Sequence, residues 1–169
     1  MPFIESFEPV IGTDPKVLIL GSIPGIASLQ AQQYYAHPRN AFWPIMAELF
    51  DVEWSAEYEI RIQQVKKLPV VLWDTLRACH REGSLDSAIT KDRLEANDII
   101  GLLKEQPGIR LIAFNGAASE KYFKQTVAKL LTDDQQVDQI RLPSTSPAHA
   151  SKNIQQKYED WKVIIRYLD

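Results

Sequence analysis

Cysteine, histidine and net charge are all scarce in this chain of 169 residues, and each scarcity excludes a class of protein. A single cysteine, Cys79, excludes an internal disulfide framework and any four-cysteine zinc or iron–sulfur site. Only three histidines are present, and no paired-ligand spacing joins them to Cys79, so we expect no metal and no cofactor. The net charge of −3 argues against indiscriminate binding to a polyanion, although it leaves room for a local basic face.

Long apolar runs are missing as well. No segment approaches the length needed to span a bilayer, and the opening residues, MPFIESFEPVIG, have no basic segment before an apolar one. We therefore expect neither a membrane span nor a signal peptide. The length predicts one domain over residues 1–169 with a sizeable core. The low cysteine content favours a cytoplasmic protein, and we expect a monomer.

Four short apolar runs are typical of buried strands, because they are β-branched and bounded by turn residues: KVLIL (16–20), PVVLW (69–73), RLIAF (110–114) and QIRL (139–142). Near-continuous hydrophobicity, rather than alternation, favours a parallel sheet covered on both faces. Segments with helical periodicity follow the strands, at 41–50, 56–68, 98–106, 117–131 and 152–168. This alternation predicts an α/β fold, a three-layer α/β/α sandwich with a four-stranded, mainly parallel sheet.

The loops after the four strands are the predicted place for a site, because ligands of open α/β sheets lie beyond the carboxyl ends of the strands. These loops are GSIPGIASLQAQQYYAHPRN, DTLRACHREGSLD, NGAAS and PSTSPAHAS. The first is too long for an ordinary connector and too aromatic for a disordered one. None contains a Walker, G-x-G-x-x-G or G-x-S-x-G pattern, so a phosphate cradle and a serine hydrolase elbow are not indicated.

Several loop residues have both a structural and a functional interpretation. GSIPG is either a plain turn or a close approach of the backbone to a ligand. Tyr34 and Tyr35 are either core aromatics or a stacking platform for a planar ligand. Asn40 is an N-cap candidate for segment 41–50, as Asn97 is for segment 98–106, or it is a polar group of a site. His149 is either a solvated loop residue or a contact to phosphate or a reacting group.

Taken in order, four segments resemble the uracil-DNA glycosylase superfamily, and more closely its hypoxanthine-DNA glycosylase branch. They are GSIPG…YYAHPRNAFW, VVLWDTLRACHREGSLDSAI, IAFNGAAS and LPSTSPAHAS, and they cover nearly the whole chain. The resemblance implies the same three-layer fold and a monofunctional DNA N-glycosylase. Its substrate would be DNA containing a deaminated base, with hypoxanthine first and uracil or xanthine next, and base removal would begin base excision repair.

The resemblance also implies a role for each site residue. Asn40, in the HPRN segment, would hold the attacking water, and His149 would act in the chemistry or grip phosphate. Tyr35 would stack on the flipped base, while its edges would be read by Gly21, Ser22 and Asn115. The DNA-binding residues would be Ser144, Ser146, Ala148, Ala150 and Ser151.

The chain departs from the superfamily pattern at two positions. Ile23 stands where the mismatch-specific uracil branch has an Asn or Asp that positions water, and Ala150 stands where many relatives have a large apolar wedge. Two other functions therefore remain open at the level of sequence. One is hydrolysis of a free nucleoside or nucleotide in the same pocket, and the other is non-catalytic binding of nucleic acid on the same scaffold.

Overall fold

The computed structural model describes residues 2–91 and 94–169. Within these residues the strands, in chain order, are β1 (Phe3–Glu5), β2 (Val10–Ile11), β3 (Val17–Gly21), β4 (Val70–Asp74), β5 (Leu76–His80), β6 (Glu95–Ala96), β7 (Leu111–Asn115) and β8 (Asp138–Leu142). The α-helices are α1 (Ile26–Ala31), α2 (Phe42–Phe50), α3 (Tyr58–Val65), α4 (Ile99–Glu105), α5 (Ala117–Thr126) and α6 (Ile154–Trp161). None of these helices is long and apolar enough to cross a membrane.

The central sheet has the strand order β2–β4–β3–β7–β8. Strands β4, β3, β7 and β8 are mutually parallel and correspond to the four strands that the apolar runs predict. The short edge strand β2 is an addition to that prediction, and it pairs antiparallel with β4. Every residue of β3 and β7 is buried, as expected for strands that are covered on both faces.

Helices cover both faces of this sheet, which confirms the three-layer α/β/α architecture. On one face, Phe42 and Trp43 of α2 and Trp161 of α6 pack against the sheet residues Ile19 and Leu72. On the other face, helices α4 and α5 pack against the sheet with side chains that include Leu102 and Phe123. Each face therefore removes large apolar side chains from water, which is the main driving force for folding.

A second, small sheet was not predicted. Strand β5 pairs antiparallel with β1 and with β6, so the order is β1–β5–β6. The sequence alone predicts this region, after the second apolar run, to be a loop. Strand β5 begins directly after Thr75 and alternates a buried Leu76 with an exposed Arg77 and a buried Ala78. Its pattern is that of a half-buried strand and is too short to distinguish from a loop in sequence.

Several helix predictions need correction at their ends. Helix α1 lies inside the first predicted loop, and segments 117–131 and 152–168 end in 3₁₀ turns at Ala128–Leu130 and Lys162–Tyr167. Asn97 is not the cap of α4, because the carboxylate of Asp98 accepts the Gly101 N–H at 2.9 Å. The Asn97 side chain instead donates to the Asp74 carbonyl at 2.7 Å, which attaches the start of α4 to the end of β4.

The carboxyl ends of the parallel strands meet at one edge of the sheet. Gly21 at the end of β3 is paired with Asp74 at the end of β4, and Asn115 at the end of β7 is paired with Leu142 of β8. The loops that leave this edge are those selected from sequence, so the polar residues that follow each strand are brought together.

Candidate active site

A cavity of about 350 Å³ opens at this edge of the sheet. Its volume lies within the range of roughly 300–1,000 Å³ that is usual for small-molecule sites. Most of the residues that were selected from sequence line it, namely Gly21, Ser22, Tyr35, Asn40, Asn115, Ser144, Ser146 and Ala148. His149, Ala150 and Ser151 do not line it, although they belong to the same loop as Ser146.

Thr145 connects three parts of the cavity wall. Its N–H donates to the Asn115 carboxamide oxygen at 2.9 Å, and the Asn115 amide donates to its hydroxyl at 3.0 Å. Its carbonyl accepts the Ala41 N–H at 2.9 Å. Thr145 is only 1% exposed, so these hydrogen bonds form in a buried setting where leaving them unmade would be expensive. They fix the end of β7, the start of α2 and the loop after β8 relative to one another.

Asn40 lies one residue before the N-cap position that the sequence predicts for it. The N-cap of α2 is Ala41, which has no side chain able to cap, so the prediction of Asn40 as the N-cap is off by one residue. The Asn40 carboxamide oxygen nevertheless accepts the Phe42 N–H at 2.9 Å and so supplies a capping bond to the first turn of α2. The same side chain lines the cavity. Since the oxygen has a second lone pair and the amide nitrogen two hydrogens, the capping bond leaves hydrogen-bonding capacity for a ligand or water.

Both tyrosines line the cavity, but they are held differently. Tyr34 is buried in the core, and its hydroxyl donates to the Glu8 carbonyl at 2.7 Å. Tyr35 adopts a φ of 54° and stacks on Phe42, with ring centroids 3.9 Å apart and 17° between the planes. A positive φ is uncommon for a residue with a side chain, so the surrounding contacts impose it. The result is a supported aromatic ring in the cavity wall.

Asp74 is a site residue that was not selected from sequence. It is the last residue of β4, lines the cavity and is only 4% exposed. A Cβ atom on Gly21, the paired residue of β3, would lie 2.4 Å from the Asp74 Oδ1 atom, so a glycine is needed beside this carboxyl. The signal that could have found Asp74 is a polar residue ending an apolar run, at the edge where the rule for α/β sheets puts ligands.

The Asp74 carboxyl has an unusual electrostatic setting. Burial, followed by the negative charge of Asp86, raises its pKa from 3.8 to about 7, and the Arg81 guanidinium opposes this rise. Among the described residues, nothing donates a hydrogen bond to its Oδ2 atom. The Tyr35 hydroxyl is also buried and forms no hydrogen bond of standard geometry with those residues. Burial and the Asp74 charge raise its pKa, and a weaker interaction with the Asn115 side chain lowers it. The cavity wall thus holds one carboxyl oxygen without a partner and one hydroxyl that is only weakly bound.

Residues 82–86 form a further wall, and they belong to the DTLRACHREGSLD loop that the sequence selects, although the sequence assigns no role to any residue of this stretch. The Ser22 hydroxyl donates to the Asp86 carboxylate at 2.6 Å, and Ser84, Leu85 and Asp86 all line the cavity. The Ser22 carbonyl accepts the Leu76 N–H at 3.0 Å. Ser22 therefore has both its hydroxyl and its carbonyl committed to neighbouring protein groups, which holds the GSIPG turn in place.

The loop after β8 is organised by its own hydroxyl groups. The Ser144 hydroxyl accepts the Ser146 N–H at 3.1 Å, and the Ser146 hydroxyl accepts the Ala148 N–H at 3.2 Å. The His149 ring contacts the Ser151 hydroxyl at 3.3 Å and lies outside the cavity lining. Helix α6 begins only at Ile154 and is capped by Asn153, so His149 is not at its N-terminus.

The arrangement limits the chemistry that the cavity can perform. Within residues 2–91 and 94–169, no three His, Cys, Asp or Glu side chains lie close enough to hold a metal ion. The wall combines a stacked aromatic ring with carboxyl, carboxamide and hydroxyl groups. Such a wall suits a planar ring with polar edges. Fold and site together define an α/β/α domain with a pocket for a planar, polar ligand.

Comparison with known proteins identifies the family. The Uracil DNA glycosylase superfamily matches residues 9–168. A hypoxanthine DNA glycosylase of Methanosarcina barkeri (strain Fusaro) is 38% identical over 120 residues, which are 70% of this chain and 74% of the relative. A protein of the same name from Methanosarcina acetivorans is 34% identical over 166 residues, which are 96% and 98% of the two chains.

A solved structure gives the same result. The solution NMR structure of a candidate uracil DNA glycosylase from Methanosarcina acetivorans has a TM-score of 0.79, with 33% identity and 99% of each chain covered. The chain belongs to the uracil DNA glycosylase superfamily. The resemblance carried by the four sequence segments is thereby confirmed.

The buried Asp74 carboxyl generates a prediction about stability. Because its pKa is about 7 in the folded protein and 3.8 as the ordinary value, the folded state binds a proton that the unfolded state releases. The free energy of unfolding should therefore fall as pH rises from about 4 to 7. Asp74→Asn should remove this loss, so the variant should gain stability relative to wild type over that range. The gain should be about 1.4 kcal/mol for each tenfold difference in proton affinity between the folded and unfolded states.

Chemical denaturation at a series of pH values measures this effect. Asp133→Asn, which removes the same charge from an exposed 3₁₀ turn, is the matched control for net charge. A difference between Asp74→Asn and wild type that stays constant from pH 4 to 8 would contradict the prediction.

Proposed function

We propose that this DNA glycosylase removes hypoxanthine, the base formed when adenine is deaminated, by hydrolysing the bond between base and sugar in DNA. The two Methanosarcina relatives that bear the name hypoxanthine DNA glycosylase support this choice of base. Removal of the base would begin base excision repair. The proposal includes a cytoplasmic, monomeric protein that works without a cofactor, in keeping with its composition.

The observation that carries the proposal is the pair of buried groups in the cavity wall, the Asp74 carboxyl and the Tyr35 hydroxyl. Buried polar groups are nearly always hydrogen-bonded, so these two are expected to find a partner in the ligand. Hypoxanthine has a ring N–H beside a carbonyl. A neutral carboxyl can donate to that carbonyl while it accepts from the N–H. Uracil and xanthine present the same pair of groups, so the preference among the three bases rests on the relatives.

The lesion would have to leave the base stack to reach this wall. Such flipping costs a few kcal/mol, and the cost is lowest where the base pair is already mismatched. Hypoxanthine opposite thymine is such a pair. The Tyr35 ring, which Phe42 supports from one face, would stack on the flipped base. The base edges would then face Gly21, Ser22, Asp74 and Asn115.

Cleavage of the glycosidic bond passes through an oxocarbenium-like state that develops positive charge on the sugar. We assign the placement of the attacking water to Asn40, whose side chain lines the cavity while its oxygen caps α2. A neutral amide is a poor base, so Asn40 would act by position and hydrogen bonding. DNA phosphates would stabilise the cation. The hydroxyl-rich loop with Ser144, Ser146, Ala148, Ala150, Ser151 and His149 would contact those phosphates.

A panel of lesions tests the substrate. Duplexes that carry hypoxanthine, uracil, xanthine or undamaged adenine at one position are incubated with the protein and scored for abasic sites, next to free deoxyinosine. We expect the fastest base release from the hypoxanthine duplex. Release from free deoxyinosine at a similar rate would indicate a nucleoside hydrolase instead. Duplex binding without any release would indicate a non-catalytic binding module.

Asn40→Ala tests the catalytic assignment. Loss of the water-positioning group should lower the single-turnover rate of base release by on the order of 10²–10³, by analogy with the deletion of one preorganised polar group. Loss of the cap alone should lower stability by roughly 0.5–2 kcal/mol and leave the rate of the folded protein nearly intact. Thermal melting, duplex binding and single-turnover release are measured together. A folded variant that cleaves at the wild-type rate would reduce Asn40 to a cap.

Two further variants separate the roles of Asn40. Asn40→Asp keeps an oxygen that can accept the Phe42 N–H, so the variant should be as stable as wild type. Any change in its rate of base release would then arise from the altered group in the cavity. Asp98→Ala removes the cap of α4, which is not part of the cavity lining. It should match the stability loss of Asn40→Ala without the loss of rate.

The dependence of activity on pH tests the role of Asp74. The neutral carboxyl is both a donor and an acceptor, and the ionised form is only an acceptor. Because the pKa of Asp74 is about 7, hypoxanthine release should fall as pH rises through that value. The asparagine side chain of Asp74→Asn can both donate and accept hydrogen bonds at every pH. The ratio of the variant's rate of hypoxanthine release to the wild-type rate should therefore rise over the same pH range. The two rates are compared at each pH, because His37 also lines the cavity and is present in both proteins. A ratio that stays constant with pH would contradict the role assigned to Asp74.

A further inference from the structure

Two apolar side chains project from the mouth of the cavity. Leu85 is 56% exposed and Ile26, at the start of α1, is 43% exposed, and both belong to the cavity lining. The Ile26 N–H donates to the Ser84 hydroxyl at 2.8 Å, so the two residues lie on adjoining segments. We name this pair the apolar rim. Single exposed apolar side chains are common on protein surfaces, and what distinguishes this pair is its place at the mouth of a site.

The loop that carries Leu85 is firmly held. The Arg81 guanidinium, which is buried, donates to the Gly83 carbonyl at 2.7 Å and to the Pro24 carbonyl at 2.6 Å. Asp86 accepts the Ser22 hydroxyl on the other side of Leu85. The exposed leucine is thus preorganised between two anchored residues, and little conformational entropy would be lost when it is inserted into a partner.

In the loop after β8, no apolar side chain matches Leu85 in both size and exposure, since Pro147 is half-buried. The loop after β8 contributes Pro147 and Ala148 to the lining, and the exposed residue beyond them is Ala150. An alanine methyl group is too small to occupy the space of a base in a duplex. Proteins that unstack DNA commonly insert Leu, Ile, Phe, Met or Pro between base steps. Leu85 has both the size and the exposure for this task.

A shallow groove adjoins the cavity beside Leu85. Asp86 and Ser87 line it together with Glu120, Lys121, Lys124 and Arg141. The Glu120 carboxylate lies 3.7 Å from Lys124 and 3.8 Å from Arg141 and offsets part of their charge. Because the three cations outnumber the two carboxylates, the groove keeps a small positive charge that can attract the phosphates of a strand passing the Leu85 loop.

We propose that Leu85 is the wedge that enters the duplex and occupies the position vacated by the flipped base, with Ile26 packing beside it. The proposal rests on the action of the protein on duplex DNA. It assigns the opening of the stack to the 82–86 loop rather than to the loop after β8. Leu85 does no chemistry, so its contribution should depend on how firmly the lesion is held in the stack.

The test compares Leu85→Ala with wild type on two duplexes. One has hypoxanthine opposite thymine, and the other has hypoxanthine opposite a bulky pyrene nucleotide, which fills the helix and expels the lesion without help. Single-turnover release from the first duplex should slow by on the order of tenfold or more in the variant, because unstacking costs a few kcal/mol. On the pyrene duplex the variant and wild type should agree within about twofold.

A second readout does not require catalysis. A 2-aminopurine base next to the lesion brightens when the neighbouring base leaves the stack, and this signal should be smaller with Leu85→Ala than with wild type. Leu130→Ala removes a side chain that is 59% exposed and absent from the cavity lining, and it should match wild type in both assays. Thermal melting checks that each variant is folded.

The outcomes are distinct. A variant that releases base at the wild-type rate from the paired duplex, or that is equally slow on both duplexes, would overturn the wedge assignment and leave the proposed function intact. Wild-type protein that neither brightens the probe nor releases hypoxanthine would overturn both. Wild-type protein that brightens the probe without releasing hypoxanthine would contradict the substrate proposal alone, and a weaker signal from Leu85→Ala would still support the wedge.

Discussion

The site depends on the hydrogen bonds around Thr145. Three segments that are far apart in sequence meet there: the end of β7 through Asn115, the start of α2 through Ala41, and the loop after β8 itself. The parallel sheet brings strand ends to one edge but does not set the distances between the loops that leave them. The buried hydrogen bonds of Thr145 set those distances, because a misplaced loop would leave several polar groups without partners.

The loops of the site are held by different anchors. The 82–86 loop is tied to the GSIPG turn through Arg81, Ser22 and Asp86. The loop after β8 is tied to α2 and β7 through Thr145. Because the two anchor networks share no hydrogen bond in the described part of the chain, a change in one loop need not displace the other.

Much of the fold could be predicted because the four parallel strands are continuous apolar runs with helical segments between them. Strand β5 escaped prediction because Arg77 and His80 break up its apolar residues and no turn residues mark its start. The loops of the site could be predicted from the rule about strand ends. The place of Asp74 in the cavity wall could not, because it depends on the room that Gly21 leaves for its carboxyl on the neighbouring strand. The position of His149 outside the cavity depends on loop hydrogen bonds that its sequence does not reveal.

The setting of Asp74 explains how a destabilising group can persist in the fold. A buried carboxyl oxygen that lacks a hydrogen-bond partner among the described residues lowers the stability of the free protein. Val70, Val71 and Leu72 of β4 are fully buried in the cores on the two faces of the sheet, and Asn97 binds the Asp74 carbonyl, so the fold tolerates this cost. A ligand that supplies the missing partner regains the lost interaction on binding. The unsatisfied carboxyl that weakens the free protein would thus make the proposed site selective for rings with a polar edge, because a purely apolar ring would leave Asp74 as unsatisfied as before.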